Sequence, residues 1–183
     1  IADSEGHKGL ANTLCLINAG YMSEDGQVLK REDDIRGGEI VMAADGTPSG
    51  YLKETAGTRA RACIDNDYIY PTSTATSIVK QVEEHLLSEG YTMFMDGWTN
   101  YFFNDNTYKA AQLLDEAGDL HVMLGMSYEL ESWMDVEEGL AHALETKKYA
   151  SKHVVPKWVK LFIDGTVETG TGYVDPVYPD GHN

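Results

Sequence analysis

A lysine and an aspartate lie at the end of the last apolar run of the chain. The run Trp158–Ile163 predicts a strand, with Lys160 inside it and Asp164 directly after it. In a barrel of parallel strands the carboxyl ends face the active site, so Asp164 is a candidate catalytic carboxylate. Burial favours the neutral form of an amine, which could form a Schiff base or take up carbon dioxide to give a carbamate that bridges two metals. The alternative is that Lys160 reaches water or pairs with Asp164.

Three further polar side chains are weaker candidates. Asp96 follows the predicted strand Thr92–Met95, where a carboxylate could be a ligand or general base, or a helix cap or loop acceptor. His121 opens its strand, at the end opposite to a site, so we predict a structural role. His7 precedes a predicted helix and could face a substrate or act as a cap.

Histidines and cysteines are not spaced as a metal site. The chain has six histidines and two cysteines, without an H-x-H, H-E-x-x-H or CxxC pattern. We therefore expect that this chain alone binds no metal tightly. So few cysteines indicate a reducing compartment, and a cytoplasmic location is predicted.

The charge of the chain restricts its partners. The formal net charge of −16 repels nucleic acids and anionic membrane surfaces, so neither is expected as a partner. Such a charge also keeps a protein soluble, which is its simplest interpretation. No apolar run is long enough for a transmembrane helix. A small-molecule substrate is the predicted partner.

Helices alternate with short apolar strands in the second part of the chain. This alternation predicts a parallel sheet with helices packed outside it. About three such units are present, which indicates an α/β fold that is an arc of a (β/α)₈ TIM barrel. We predict two segments: residues 1–70, an early barrel segment with a helix and a small β-hairpin insertion, and residues 71–183, consecutive β/α units ending in a loop. The predicted helices are 9–19, 54–62, about 72–87, about 107–117 and 136–144, and the predicted strands are 39–42, 49–53, 92–95, 121–126 and 158–163.

Several stretches resemble the amidohydrolase-3 group, the YtcJ-like metal-dependent hydrolases. They occur in the order of that family and at about its spacings, across nearly the whole chain. The stretches are Asp3–His7 with Asn12, Gly37–Ile40 with Asp45–Glu54, Gly90–Asp96, and Trp158–Thr166.

The resemblance implies a (β/α)₈ barrel with a small β-rich domain. It implies one or two divalent metals, with zinc expected, that activate a water to attack an amide or other C–N bond. The resemblance implies that Lys160 is the carboxylated lysine that bridges the metals. His7 and Asn12 are expected on the substrate side of the barrel mouth.

The chain departs from the family in its metal ligands. The H-x-H of the family, its two later histidines and its final aspartate are absent from these 183 residues. We therefore interpret the chain as an internal fragment that is inactive alone and could form homo-oligomers through exposed sheet edges. The alternative is a non-catalytic acidic module that binds a ligand or protein at its strand ends, near the aromatic stretch Trp98–Phe103.

Overall fold

A computed structural model describes residues 1–2, 6–31, 34–167, 172–175 and 177–178. Asp3–Glu5, part of the first stretch that resembles the family, lie outside the described residues. The chain divides into two compact units, Ile1–Ile64 with Phe162–Asn183, and Asp65–Leu161. The predicted boundary after residue 70 stays a prediction.

No helix in the described part of the chain has the length and apolar character needed to cross a membrane.

The first unit is built on a three-stranded antiparallel sheet with the strand order β1-β3-β2. The predicted hairpin is present as β2 and β3. The predicted helix over 9–19 is shorter, because its first residues pair with β3 as a strand. The bounds are β1 Lys8–Leu10, α1 Thr13–Asn18, β2 Gly38–Met42, β3 Pro48–Glu54 and α2 Thr55–Ala62.

Packing and a glycine fix the geometry of this hairpin. Ile40 pairs with Leu52, and both side chains are buried in the core of the first unit. Gly50 has a φ of 88°, a left-handed conformation that favours glycine. A Cβ atom at Gly50 would lie 2.5 Å from the carbonyl oxygen of Ala11. Only glycine therefore allows the chain before α1 to approach β3 this closely.

The second unit confirms the predicted alternation of helices and parallel strands. Its three-stranded sheet has the order β4-β5-β6, and both strand pairs are parallel. The bounds are α3 Asn66–Ile69, α4 Thr72–Ser88, β4 Met93–Asp96, α5 Asn106–Ala117, β5 Met123–Glu129, α6 Val136–Glu145, the 3-10 helix Thr146–Tyr149 and β6 Val154–Lys160. The chain therefore has a mixed α/β architecture.

The last strand lies earlier in the chain than predicted. β6 begins at Val154 and ends at Lys160, whereas the apolar run predicted a strand over 158–163. Pro156 lies inside the strand. A proline is tolerated at a sheet edge or near a bulge, and the register with β5 shifts between Met126 and Ser127.

A buried aspartate connects the end of α5 with the start of β6. The Asp115 side chain is 3% exposed. Its Oδ2 accepts hydrogen bonds from Ser151 Oγ at 2.5 Å and from the backbone N–H of His153 at 2.7 Å. Its Oδ1 lies 2.6 Å from His153 Nδ1. Burial raises the pKa of Asp115, but these hydrogen bonds outweigh it and lower the pKa below its ordinary value.

Candidate functional site

Charged residues end two adjacent strands of the parallel sheet. β5 ends at Glu129 and β6 ends at Lys160, and these two residues are paired in the register of the sheet. Residues paired in this way project to the same face. Glu129 is only 1% exposed, whereas Lys160 is half-buried. A buried carboxylate is costly unless a positive charge or hydrogen bonds accompany it.

Hydrogen bonds connect the loop between β4 and α5 to the carboxyl end of β5. Asn100 is 2% exposed, and its Nδ2 donates to the carbonyl of Glu129 at 3.1 Å. Its Oδ1 accepts from the backbone N–H of Glu129 at 2.7 Å. The backbone N–H of Thr99 donates to the carbonyl of Ser127 at 3.1 Å. These bonds hold the loop against the strand end that carries Glu129.

We expect Asn100→Ala to destabilise the chain by about 2–3 kcal/mol, because two buried backbone groups of Glu129 would lose their partners. Asn100→Asp is the matched variant: it keeps the acceptor for the Glu129 N–H, but it replaces the donor with a buried negative charge, so we expect it to be destabilised as well. Urea unfolding of the three proteins measures the effect. An unfolding midpoint of Asn100→Ala equal to that of the unchanged chain would contradict the role of this side chain.

Asp96 at the end of β4 has a local role in the structure. Its Oδ1 accepts a hydrogen bond from the backbone N–H of Trp98 at 3.1 Å. This contact corresponds to the loop acceptor that the sequence offered as an alternative to a ligand or base. His121 lies just before β5, and its backbone N–H donates to a carboxylate oxygen of the buried Glu83.

A cleft of about 670 Å³ lies within the second unit. Its volume is in the range of small-molecule sites. It is lined by residues of the loops that follow β4 and β5 and by α6, and aromatic and acidic side chains predominate. Burial raises the pKa of Tyr128 in this lining, so its hydroxyl stays protonated at neutral pH. The main lining side chains are Phe103, Asp105, Tyr128, Trp133, Asp135, Glu138, His142 and Glu145.

The four predicted site residues belong to different units. His7, Asn12 and Asp164 lie in the first unit and Lys160 lies in the second. Asn12 Oδ1 accepts from the backbone N–H of Cys15 at 2.9 Å and caps α1. The exposed Asp164 accepts a hydrogen bond through Oδ2 from the backbone N–H of Tyr173 at 2.9 Å. Neither contact depends on a ligand.

His7 is paired with a carboxylate. Its Nδ1 lies 2.8 Å from Oε2 of Glu54, the last residue of β3. The two side chains are 15% and 26% exposed. Among the described residues, the hydrogen bonds of His7, Asn12 and Asp164 thus go to other partners and do not join these three to one another.

The model of the amidohydrolase family matches residues 1–182 of the chain. The chain belongs to the amidohydrolase family. The family predicted from the sequence is therefore confirmed, and the YtcJ-like subgroup stays a prediction. No curated protein matches the chain.

A solved structure also resembles this amidohydrolase chain. It is the crystal structure of an uncharacterized metal-dependent hydrolase from Pyrococcus horikoshii OT3, with 20% sequence identity and a TM-score of 0.49. The match covers 90% of this chain and 28% of that chain. The amidohydrolase chain thus spans less than a third of the length of that hydrolase.

The described residues of this amidohydrolase chain do not form a metal centre by themselves. No group of three or more histidine, cysteine, aspartate or glutamate residues gathers at one point in the described ranges. A protein site for a divalent metal needs three or four such ligands. The described residues therefore do not fit a complete metal site, and Lys160 is the one predicted metal ligand among them.

Sequence reasoning missed three residues that the structure places at or near these candidates. Glu129 was missed because the predicted strand ended at Met126, three residues before the observed end of β5. The strand-end rule that selected Lys160 would have selected Glu129 with the correct bounds. Asn100 and Glu54 act through partners that are 29 and 47 residues away, and a local pattern gives no signal of such pairs.

Proposed function

We propose that this chain is an internal part of a metal-dependent amidohydrolase that cleaves amide or other C–N bonds with a metal-activated water. The family match over residues 1–182 supports this proposal. A divalent metal, zinc in the first instance, would polarise water and substrate in the complete enzyme. The substrate would be a small molecule, and the enzyme would be cytoplasmic.

The parallel sheet would be an arc of a (β/α)₈ barrel, with the hairpin β2–β3 as an insertion. Within the described residues β4 and β6 each pair only with β5, so both are edges of the sheet. Met93, Met95 and Trp158 on these strands are 69%, 49% and 43% exposed. In the complete enzyme, further barrel strands would pair with these apolar edges. In the isolated chain, the same edges would favour homo-oligomers.

Each predicted site residue receives a role in this proposal. Lys160 would be the carboxylated lysine that bridges the metals, because it ends β6 at the edge where parallel barrels carry their ligands. Asp164 would be a catalytic carboxylate. His7 and Asn12 would contact the substrate. The other metal ligands would come from other parts of the parent, so this chain alone would be inactive.

The second candidate function is a non-catalytic module that binds a ligand or protein. The cleft of about 670 Å³ in the second unit favours it, because acidic and aromatic side chains line a volume that suits a small molecule. In this case the isolated chain would bind a ligand and leave it unchanged.

An activity assay of the complete polypeptide that contains this segment tests the proposal. The polypeptide is assayed against a panel of N-acyl and N-formyl amines, before and after metal removal by a chelator, with metal content measured by mass spectrometry. We expect removal to reduce hydrolysis by at least about 100-fold and zinc to restore it. Full activity in protein shown to be free of metal would refute metal dependence. The 183-residue chain is the control, and we expect it to be inactive.

A further inference from the structure

His7 and Glu54 are joined by a side-chain contact and by a backbone hydrogen bond. The His7 Nδ1 atom lies 2.8 Å from Glu54 Oε2. The backbone N–H of Glu54 donates to the carbonyl of His7 at 2.7 Å. Two contacts between the same residues fix the imidazole relative to the end of β3 in both position and orientation.

Glu54 holds this geometry at a conformational cost. Its φ of 48° and ψ of −131° place a non-glycine residue in the left-handed half of the map. Such a conformation costs on the order of 1–3 kcal/mol and persists only where the surroundings impose it. Glycine would adopt it without strain, but glycine would not supply the carboxylate that reaches His7.

The pairing determines which nitrogen of His7 carries the proton. A carboxylate can only accept, so Nδ1 must be the N–H donor in this contact. In the neutral ring Nε2 is then an acceptor. Within the described part of the chain, the hydrogen bonds of this ring involve Nδ1 alone. The second oxygen of the carboxylate, Glu54 Oε1, is buried and has no hydrogen-bond partner among the described residues.

We infer that Glu54 is a positioning residue that holds His7 in the Nδ1–H tautomer, so that Nε2 accepts a hydrogen bond from the substrate. The group it would recognise is an N–H or O–H donor, such as the amide N–H or a hydroxyl beside the scissile bond. This inference rests on the proposed function, in which His7 contacts the substrate. The orientation by Glu54 is a property of the first unit and can be tested separately.

The tautomer of His7 is measured by long-range ¹H–¹⁵N NMR of the ¹⁵N-labelled chain, with His7→Gln assigning the signals. At about pH 8, above the range in which histidine ordinarily titrates, we expect a protonated Nδ1 and an unprotonated Nε2. Glu54→Ala should shift the population toward the Nε2–H form. Glu54→Gln should preserve the tautomer, because the amide oxygen of glutamine can accept the same hydrogen bond.

A matched control separates orientation from a general effect on the hairpin. Glu39 pairs with Lys53 through a contact of 2.7 Å on the same hairpin and does not contact His7. Glu39→Ala should leave the tautomer unchanged. The backbone amide spectrum of each variant verifies that the first unit is folded. An Nε2–H tautomer or a charged imidazolium in the unchanged chain, or no response to Glu54→Ala in a folded variant, would overturn the inference.

Kinetics of the complete enzyme test the contact with the substrate. We expect Glu54→Ala to raise KM about tenfold for substrates with the donor group, to leave kcat within about twofold, and Glu54→Gln to restore KM. An unchanged KM despite a shifted tautomer would overturn substrate recognition by Nε2. A complete protein that hydrolyses no amide would instead refute the proposed function, and the NMR result on Glu54 would stand.

Discussion

Replacement of Lys160 by alanine is expected to remove bound metal from the complete hydrolase and to lower kcat/KM by about 1000-fold or more. In the proposed function a carboxylated Lys160 would help to hold the metals, and alanine has no atom that could replace it. Metal content by mass spectrometry and kcat/KM on the best amide substrate measure the two effects. A short carboxylic acid added to Lys160→Ala with zinc should restore part of the activity, because it supplies the missing carboxylate.

The matched control for this prediction is Lys157→Ala. Lys157 lies on the same strand, β6, and is exposed. Its replacement removes the same type of side chain from the same strand and should leave metal content and kcat/KM within about twofold, as for most surface substitutions. A Lys160→Ala protein with full metal content and normal kcat/KM would contradict the role assigned to Lys160.

Replacement of Asp115 by asparagine is expected to destabilise the chain by about 2–4 kcal/mol near neutral pH. Two N–H groups of His153 and the hydroxyl of Ser151 surround the buried carboxylate. Asparagine has no charge. Its amide NH₂ group would also face the N–H groups of His153 or the hydroxyl of Ser151, where a hydrogen-bond acceptor is needed. Urea unfolding at neutral pH measures the difference, and an unchanged midpoint would contradict the structural role of Asp115.

The pH dependence of stability gives a second measurement on Asp115. Because its folded-state pKa is lowered, its contribution is complete above the ordinary carboxyl pKa of about 4. The contribution is lost as the pH falls through the lower folded value. The unchanged chain should therefore lose stability over this acidic range more steeply than Asp115→Asn. Asp119→Asn, which removes an exposed ion pair with Lys80, is the control. It should change the free energy of unfolding and its pH dependence less than Asp115→Asn does.

The sequence predicted the elements whose residues follow a local period. The apolar spacing in α4 and the short apolar strands β4 and β5 were sufficient for the parallel sheet, because helix and strand periods are local properties. The last two residues of β1, Gly9 and Leu10, were assigned to a helix, since so short a strand has no period and forms only by pairing with β3. The start of β6 was missed because Pro156 normally argues against a strand interior.

Much less of the candidate site could be predicted. Lys160 was predicted as a site residue from its place near a strand end and from the resemblance to the family, and this role stays a prediction. Two contacts, Asn100 with Glu129 in the second unit and His7 with Glu54 in the first, join residues that are distant in the chain. Such pairs depend on the folded arrangement of loops and strand ends, for which neither periodicity nor turn chemistry carries information.

The most direct test of the central claim is a crystal structure of the complete polypeptide with anomalous diffraction recorded at the zinc absorption edge. We expect metal peaks beside a carboxylated Lys160. An anomalous map with no peak near an unmodified Lys160, from protein that hydrolyses an amide, would contradict the assignment of this residue as a metal ligand.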